Sequence, residues 1–164
     1  DKNSDTAINF YKTIQNKFHY AITGNTAAEI VYNRVDSKKE NMGLTTWENS
    51  PDGKILKSDV IIAKNYLNEQ EIKNLNNLVN LFLDIAENNA ERSITMYMED
   101  WKNEVENALK VFHYEVLEGK GKISHKQAVE KAENEYEKYK IIQDKNYVSD
   151  FDRLLSETKQ IENK

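Results

Sequence analysis

The chain has 164 residues, 38% of them hydrophobic and 31% charged, with a net charge of −5 and no cysteine. That length suits one domain with a real core, and the lack of cysteine excludes disulfides and thiolate chemistry and fits a reducing, cytoplasmic setting. The acidic balance opposes whole-domain binding to a phosphate backbone, and no apolar run reaches the roughly 18 residues of a membrane span.

One proline and five glycines among many Lys, Glu, Asn and Leu favour helix, because few residues interrupt it. The expected fold is mainly α: one compact domain over 1–164, with about five to seven helices and a small inserted β-hairpin. Asp1 to Asp5 reads as a polar linker, and an opening Asp rather than Met suggests either a processed start or, the favoured reading, a piece cut from a longer protein.

The first helix is predicted from Thr6 to Ile22, with Tyr11, Ile14, Phe18 and Ala21 on one face and Gly24 as its stop. Thr26 and Glu29 form a capping box for a second helix reaching Val35, which buries Ala27, Ile30 and Val31. Between Gly43 and Lys57, the segments 44–47 and 54–57 flank Asn49-Ser-Pro-Asp-Gly53, a turn signal that predicts the hairpin. Ser58 and Asp59 then read as the cap of a short helix through Val60, Ile61 and Ala63, with a strand as the competing reading.

Asn68 and Glu71 open a long helix to Ala90. It carries one stripe of Ile72, Leu75, Val79, Phe82 and Ala86, and another of Leu78, Leu81 and Ile85. Two apolar faces place it at the middle of the core. The next helix sets Trp101, Val105, Leu109, Phe112 and Val116 in line and is predicted to end near Gly119. Ser124 and Gln127 start another, lined by Val129, Ala132, Tyr136 and Tyr139. Ser149 and Asp150 restart a last helix through Phe151, Leu154 and Leu155, and the polar tail from Ser156 to Lys164 is expected to fray.

Chemistry has few footholds. His113 and His125 lack a helical ligand partner and read as structural, so no metal site is predicted. Asp84, Glu87 and Glu91 share a helix face and read as a solvated rim. Arg34, Lys38, Lys39, Lys54 and Lys57 mix with Trp47 and Tyr66 as in single-strand grooves. However, Asp36, Glu40, Glu48, Asp52 and Asp59 nearly cancel their charge.

His19-Tyr-Ala-Ile-Thr-Gly24-Asn25, before a capped helix, resembles the Fic and death-on-curing motif. That resemblance implies a histidine base, an acid before the glycine for magnesium, and a Gly-Asn turn that cradles phosphate at a helix start. Thr23 stands in the acid's place, and Glu29 lies where the family carries arginine. On this reading His19 is the catalytic candidate. Gly24, Asn25 and Thr26 supply the anion site, and Lys12, Arg34 or Arg92 the missing positive charge, with a nucleotide as cofactor or substrate. The same residues also read as a plain helix stop and cap, with no cofactor. Such a site requires His19 and the amides near Asn25 to face an open cleft.

A wider resemblance covers nearly the whole chain. FYKTIQNKFHYAITGNTAAEIVYNRV (Phe10 to Val35) is similar to the virulence-associated RhuM family of bacterial proteins. The likeness continues collinearly in Asn41 to Trp47, Gly53 to Asp59, Ala63 to Glu69, Ala90 to Arg92 and Ser149 to Arg153. It implies a preceding DNA-binding module of helix-turn-helix or phage type, so that this chain is expected to be the C-terminal part of a longer protein and DNA is contacted outside it. The domain itself is then expected to be an effector or assembly unit, with a homo-oligomer or another protein as partner and no membrane. The alternative is a Fic-like enzyme that handles a nucleotide or phosphate.

Overall fold

A computed structural model describes residues 4–163, so the expected linker lies outside the described residues at 1–3, and the tail does at 164. Ser4 is already a cap: its hydroxyl accepts from the Ala7 amide and starts α1, Asp5–Thr23. Gly24, at φ 75°, ends α1 by donating its amide to the Tyr20 carbonyl. α2, Ala27–Arg34, starts on the predicted Thr26–Glu29 box, with both halves formed. α3 (Glu69–Glu91), α4 (Met98–Val111), α5 (His125–Asn146) and α6 (Asp150–Glu162) follow. Short 3₁₀ turns lie at Glu40–Gly43 and Ala63–Tyr66. The described residues are all-helical, and none of these helices is long and apolar enough to cross a membrane.

The short α2 is the hub. It packs on α1, on α5 and on the Ala63–Tyr66 turn, and Ile30 and Val31 are buried among Val35, Met42, Val60, Leu67 and Ala132. The expectation that the long helix occupies the middle is therefore corrected. On α3 only Leu75 and Leu78 are buried, while Val79 and Leu83 are exposed. Its two stripes are spent differently: Phe82 stacks edge-on to Phe18 and leans on Trp101 of α4, while the rest of the far end rises toward solvent. On α1, Ile14 and Phe18 are buried as predicted, but Tyr11 faces out, and Ala7, Lys17 and His19 take inward places.

No β-hairpin forms between Gly43 and Lys57, and the described residues hold no strand. The two arms find other partners. Thr45 and Thr46 donate their amides to the Asn65 carbonyl. Ile55 donates to Oε1 of Gln143 on α5 at 2.7 Å and accepts from its Nε2 at 3.0 Å. Asp59 does not cap a helix there either. Its buried carboxylate accepts from the amides of Leu56 (2.7 Å) and Glu48 (3.0 Å), folding the loop back on itself. Buried backbone donors need partners from somewhere, and here remote side chains supply them.

Two more boundaries differ from expectation. α4 stops at Val111 rather than near Gly119, because His113 takes the left-handed conformation (φ 63°) usually left to glycine, and Tyr114 donates back to Leu109. The stretch from Ser156 does not fray but continues α6 to Glu162.

Two ion pairs fasten the packing. Lys17, buried on α1, meets Glu106 of α4 at 2.8 Å and donates to the Leu117 carbonyl at 3.1 Å. Arg34 forks onto both Glu71 oxygens at 2.7 and 2.8 Å and donates to the Tyr66 carbonyl at 2.9 Å. The second pair joins α2, the Ala63–Tyr66 turn and α3 at one point. Hydrogen bonding from the guanidinium holds the Glu71 carboxyl below its ordinary range, and the same bond raises Arg34.

Candidate functional site

The turn from His19 to Thr26 joins α1 to α2, and its polar groups can be followed one at a time. Thr23 Oγ1 donates to the His19 carbonyl at 2.6 Å and accepts from the Asn25 amide at 3.0 Å. The Asn25 side chain donates to the Thr23 carbonyl and accepts, at 3.4 Å, from Asn33. The amide of Thr26 goes to Glu29 Oε1 (2.9 Å), that of Ala27 to Asn16 Oδ1 (3.1 Å), and that of Glu29 to Thr26 Oγ1 (3.3 Å). The amides of Asn25, Thr26, Ala27 and Glu29 are thus donated to protein oxygens rather than left for an anion, and one of the acceptors is a carboxylate.

A lid lies over the same turn. A Cβ on Gly121 would stand 2.6 Å from Thr26 Cγ2 and 3.0 Å from Glu29 Oε1, so the loop before α5 sits directly on the box. Thr26 is buried beneath it.

His19 is 2% exposed, and its Nδ1 has no hydrogen-bond partner. Burial alone pushes its pKa down from 6.5 to about 4, because the charged imidazolium would lose its hydration. The cations named for this site do not converge on it. Lys12 is exposed on α1, seven residues or roughly 10 Å of helix before His19. Arg34 is the last residue of α2, at the end opposite Thr26, and is bound to Glu71. Arg92 is exposed at the end of α3. The structure therefore brings together Gly24, Asn25 and Thr26 with Glu29, but not with a charge clamp.

The other sequence candidates are placed plainly. His113 and His125 are exposed rather than packed in the core, as are Asp84, Glu87 and Glu91, and no group of three or more His, Asp or Glu could hold a metal among the described residues. The basic and aromatic mixture does not form a groove. Trp47 and Tyr66 are buried, Lys54 pairs with Asp144 at 2.9 Å, and Lys57 lies between Glu133 and Glu137.

Sequence reasoning missed an aromatic groove of about 350 Å³ where α1, α3 and α4 meet, lined by Phe10, Tyr11, Phe82, Met96, Met98 and Trp101. Thioether and ring surfaces of this kind adapt to apolar partners. The sequence signal was Met96-Tyr-Met98 where α4 begins, with Trp101 three residues further along the same helix. Tyr97, 72% exposed, stands at its edge in the chain.

The class these observations define is an all-helical domain whose candidate turn is closed by its own hydrogen bonds and which exposes many large apolar side chains. Residues 1–148 match the family described as Virulence protein RhuM family, and the chain belongs to that family. The matched span stops two residues before α6, so the Ser149 to Arg153 stretch lies beyond it. No curated protein matches the chain, and no solved structure matches it.

Proposed function

We propose that this chain is a non-catalytic assembly domain of a RhuM-family virulence protein, with DNA contacted by a domain that precedes it. One observation carries the reading. The chain exposes 11301 Å², whereas a folded monomer of 19.1 kDa exposes about 8,400 Å². The excess, roughly 2,900 Å², is larger than the ~800 Å² that one partner hides in a standard interface. Large apolar side chains stand on that surface, among them Leu83, Phe112, Ile141, Phe151 and Ile161. A net charge of −5 leaves DNA to another part of the protein.

Sedimentation velocity of the purified chain over a range of concentrations tests the assembly reading. Self-association, or a defined complex with another protein of the same locus, is the expected result; a strict monomer that binds no such protein refutes it. Incubation with labelled nucleotide and acceptor protein tests the enzymatic alternative. The chain and its His19→Ala variant are expected to give the same background.

A further inference from the structure

We propose that α6, together with the end of α5, is the seat of a second copy of this chain, the two α6 helices packing antiparallel about a two-fold axis. This rests on the assembly reading above and names its surface. α6 is a 13-residue helix with no buried residue. Isolated helices of that length are marginal in water, and most helical stability comes from an apolar face being covered. Phe151, Leu154, Leu155 and Ile161 recur at three-, four- and seven-residue offsets, so they share one face. Thr158 falls on the same stripe, with its hydroxyl turned back onto the Leu154 carbonyl at 2.9 Å rather than left free. Ile141, Ile142, Tyr147 and Val148, all exposed, lead into it along the chain.

Area argues for a protein partner of ordinary size. Full burial of one large apolar side chain removes roughly 60–120 Å² from water, from its transfer free energy and the area coefficient. With Phe151 at 67% and Ile161 at 74% exposure among these eight residues, the patch offers on the order of 400 Å² of apolar surface. That is close to the apolar share of the ~800 Å² each partner contributes to a standard interface.

Charge selects the occupant. α6 carries four carboxylates, Asp150, Asp152, Glu157 and Glu162, against two cations, Arg153 and Lys159. Helices that lie on anionic membranes are rich in Lys and Arg on the polar face, and nucleic acid demands the same. A second copy satisfies the patch by the symmetry of its own stripe. Parallel pairing would set the Asp150 and Asp152 turns of both copies together. Antiparallel pairing places them beside the partner turn that holds Lys159, with Glu162 the one like charge there, and opposes the helix dipoles.

Sedimentation velocity on the full chain, on the Phe151→Glu/Leu154→Glu variant and on Tyr11→Glu decides it. The native chain is expected to dimerise, the α6 variant to dissociate at least about a hundredfold more readily, and Tyr11→Glu, which alters the aromatic groove, to behave as native. α6 contributes nothing to the core, so both α6 substitutions leave the fold intact, which circular dichroism checks. If the native chain associates and the α6 variant does so equally, this surface is wrong while the assembly reading stands. If the native chain stays monomeric at every concentration, the second copy is wrong; the assembly reading then falls too unless the chain binds another protein of its locus. Because the chain has no cysteine, mixing Phe151→Cys with Ile161→Cys should give the mixed disulfide on oxidation. Predominant Phe151→Cys homodisulfide would overturn the antiparallel arrangement.

Discussion

Replacing His19 by leucine should remove most of the acid sensitivity of this domain between pH 7 and pH 5. The imidazole is buried with Nδ1 unpartnered, and its folded pKa is about 4 against 6.5 when exposed. The folded state therefore binds fewer protons than the unfolded chain between those values, so stability is complete above pH 6.5 and is lost as pH falls toward 4. Integrating that difference gives about 2 kcal/mol lost between pH 7 and pH 5. The leucine variant also removes a buried polar atom without a partner, which should raise stability at pH 7 by about 1 kcal/mol. The assay is urea unfolding of both proteins at pH 7, 6 and 5, with imidazole NMR on the native chain. Equal pH dependence in the two proteins, or a folded imidazole titrating near 6.5, would refute the reasoning. The Glu71 and Glu106 carboxyls, both held below their ordinary range by hydrogen bonds from Arg34 and Lys17, add their own acid loss only below about pH 4.5.

Arg34→Met should cost about 2 kcal/mol, since it strands the partly buried Glu71 and the Tyr66 carbonyl; equilibrium urea unfolding measures it, and a change within error would mean the fork is solvent-replaceable. Gly119→Ala and Gly121→Ala form a matched pair: both positions have positive φ, but only the second meets Thr26. The first should lose about 1 kcal/mol and the second at least about 2 kcal/mol more, read from thermal midpoints and unfolding curves. Asp59→Ala frees the amides of Glu48 and Leu56 and should cost about 3 kcal/mol, with hydrogen exchange rising over 47–60 while α3 and α4 stay protected.

The sequence announced helix starts well because capping is local. Thr26 with Glu29, Asn68 with Glu71 and Ser124 with Gln127 each form both halves of the expected box. What it could not show is where a helix sits. The twin stripes of α3 are as apolar as a central helix needs, yet the eight residues of α2 hold the centre because α5 and the Ala63–Tyr66 turn close on it from outside. The hairpin failed for the same reason: a turn signal says that the chain reverses, not that its arms pair. Their donors and acceptors were taken by Asn65 and Gln143 from elsewhere. In the candidate site, spacing correctly placed Gly24 and Thr26 at a helix junction. It could not reveal that Glu29, Asn16 and the loop at Gly121 would already occupy it.

The two bonds between Gln143 and Ile55 join residues 88 apart, and that separation sets an order of events. A growing chain that has emerged only through α4 lacks Gln143, so the Ile55 backbone stays without its anchor while the α1–α3 packing can already form. The bonds of Asp59 within the loop do not depend on α5, but the Ile55 amide should gain its exchange protection only together with that helix. Ile55 is thereby a single-residue clock for completion of the domain, and a chain ending short of residue 143 would keep it stopped.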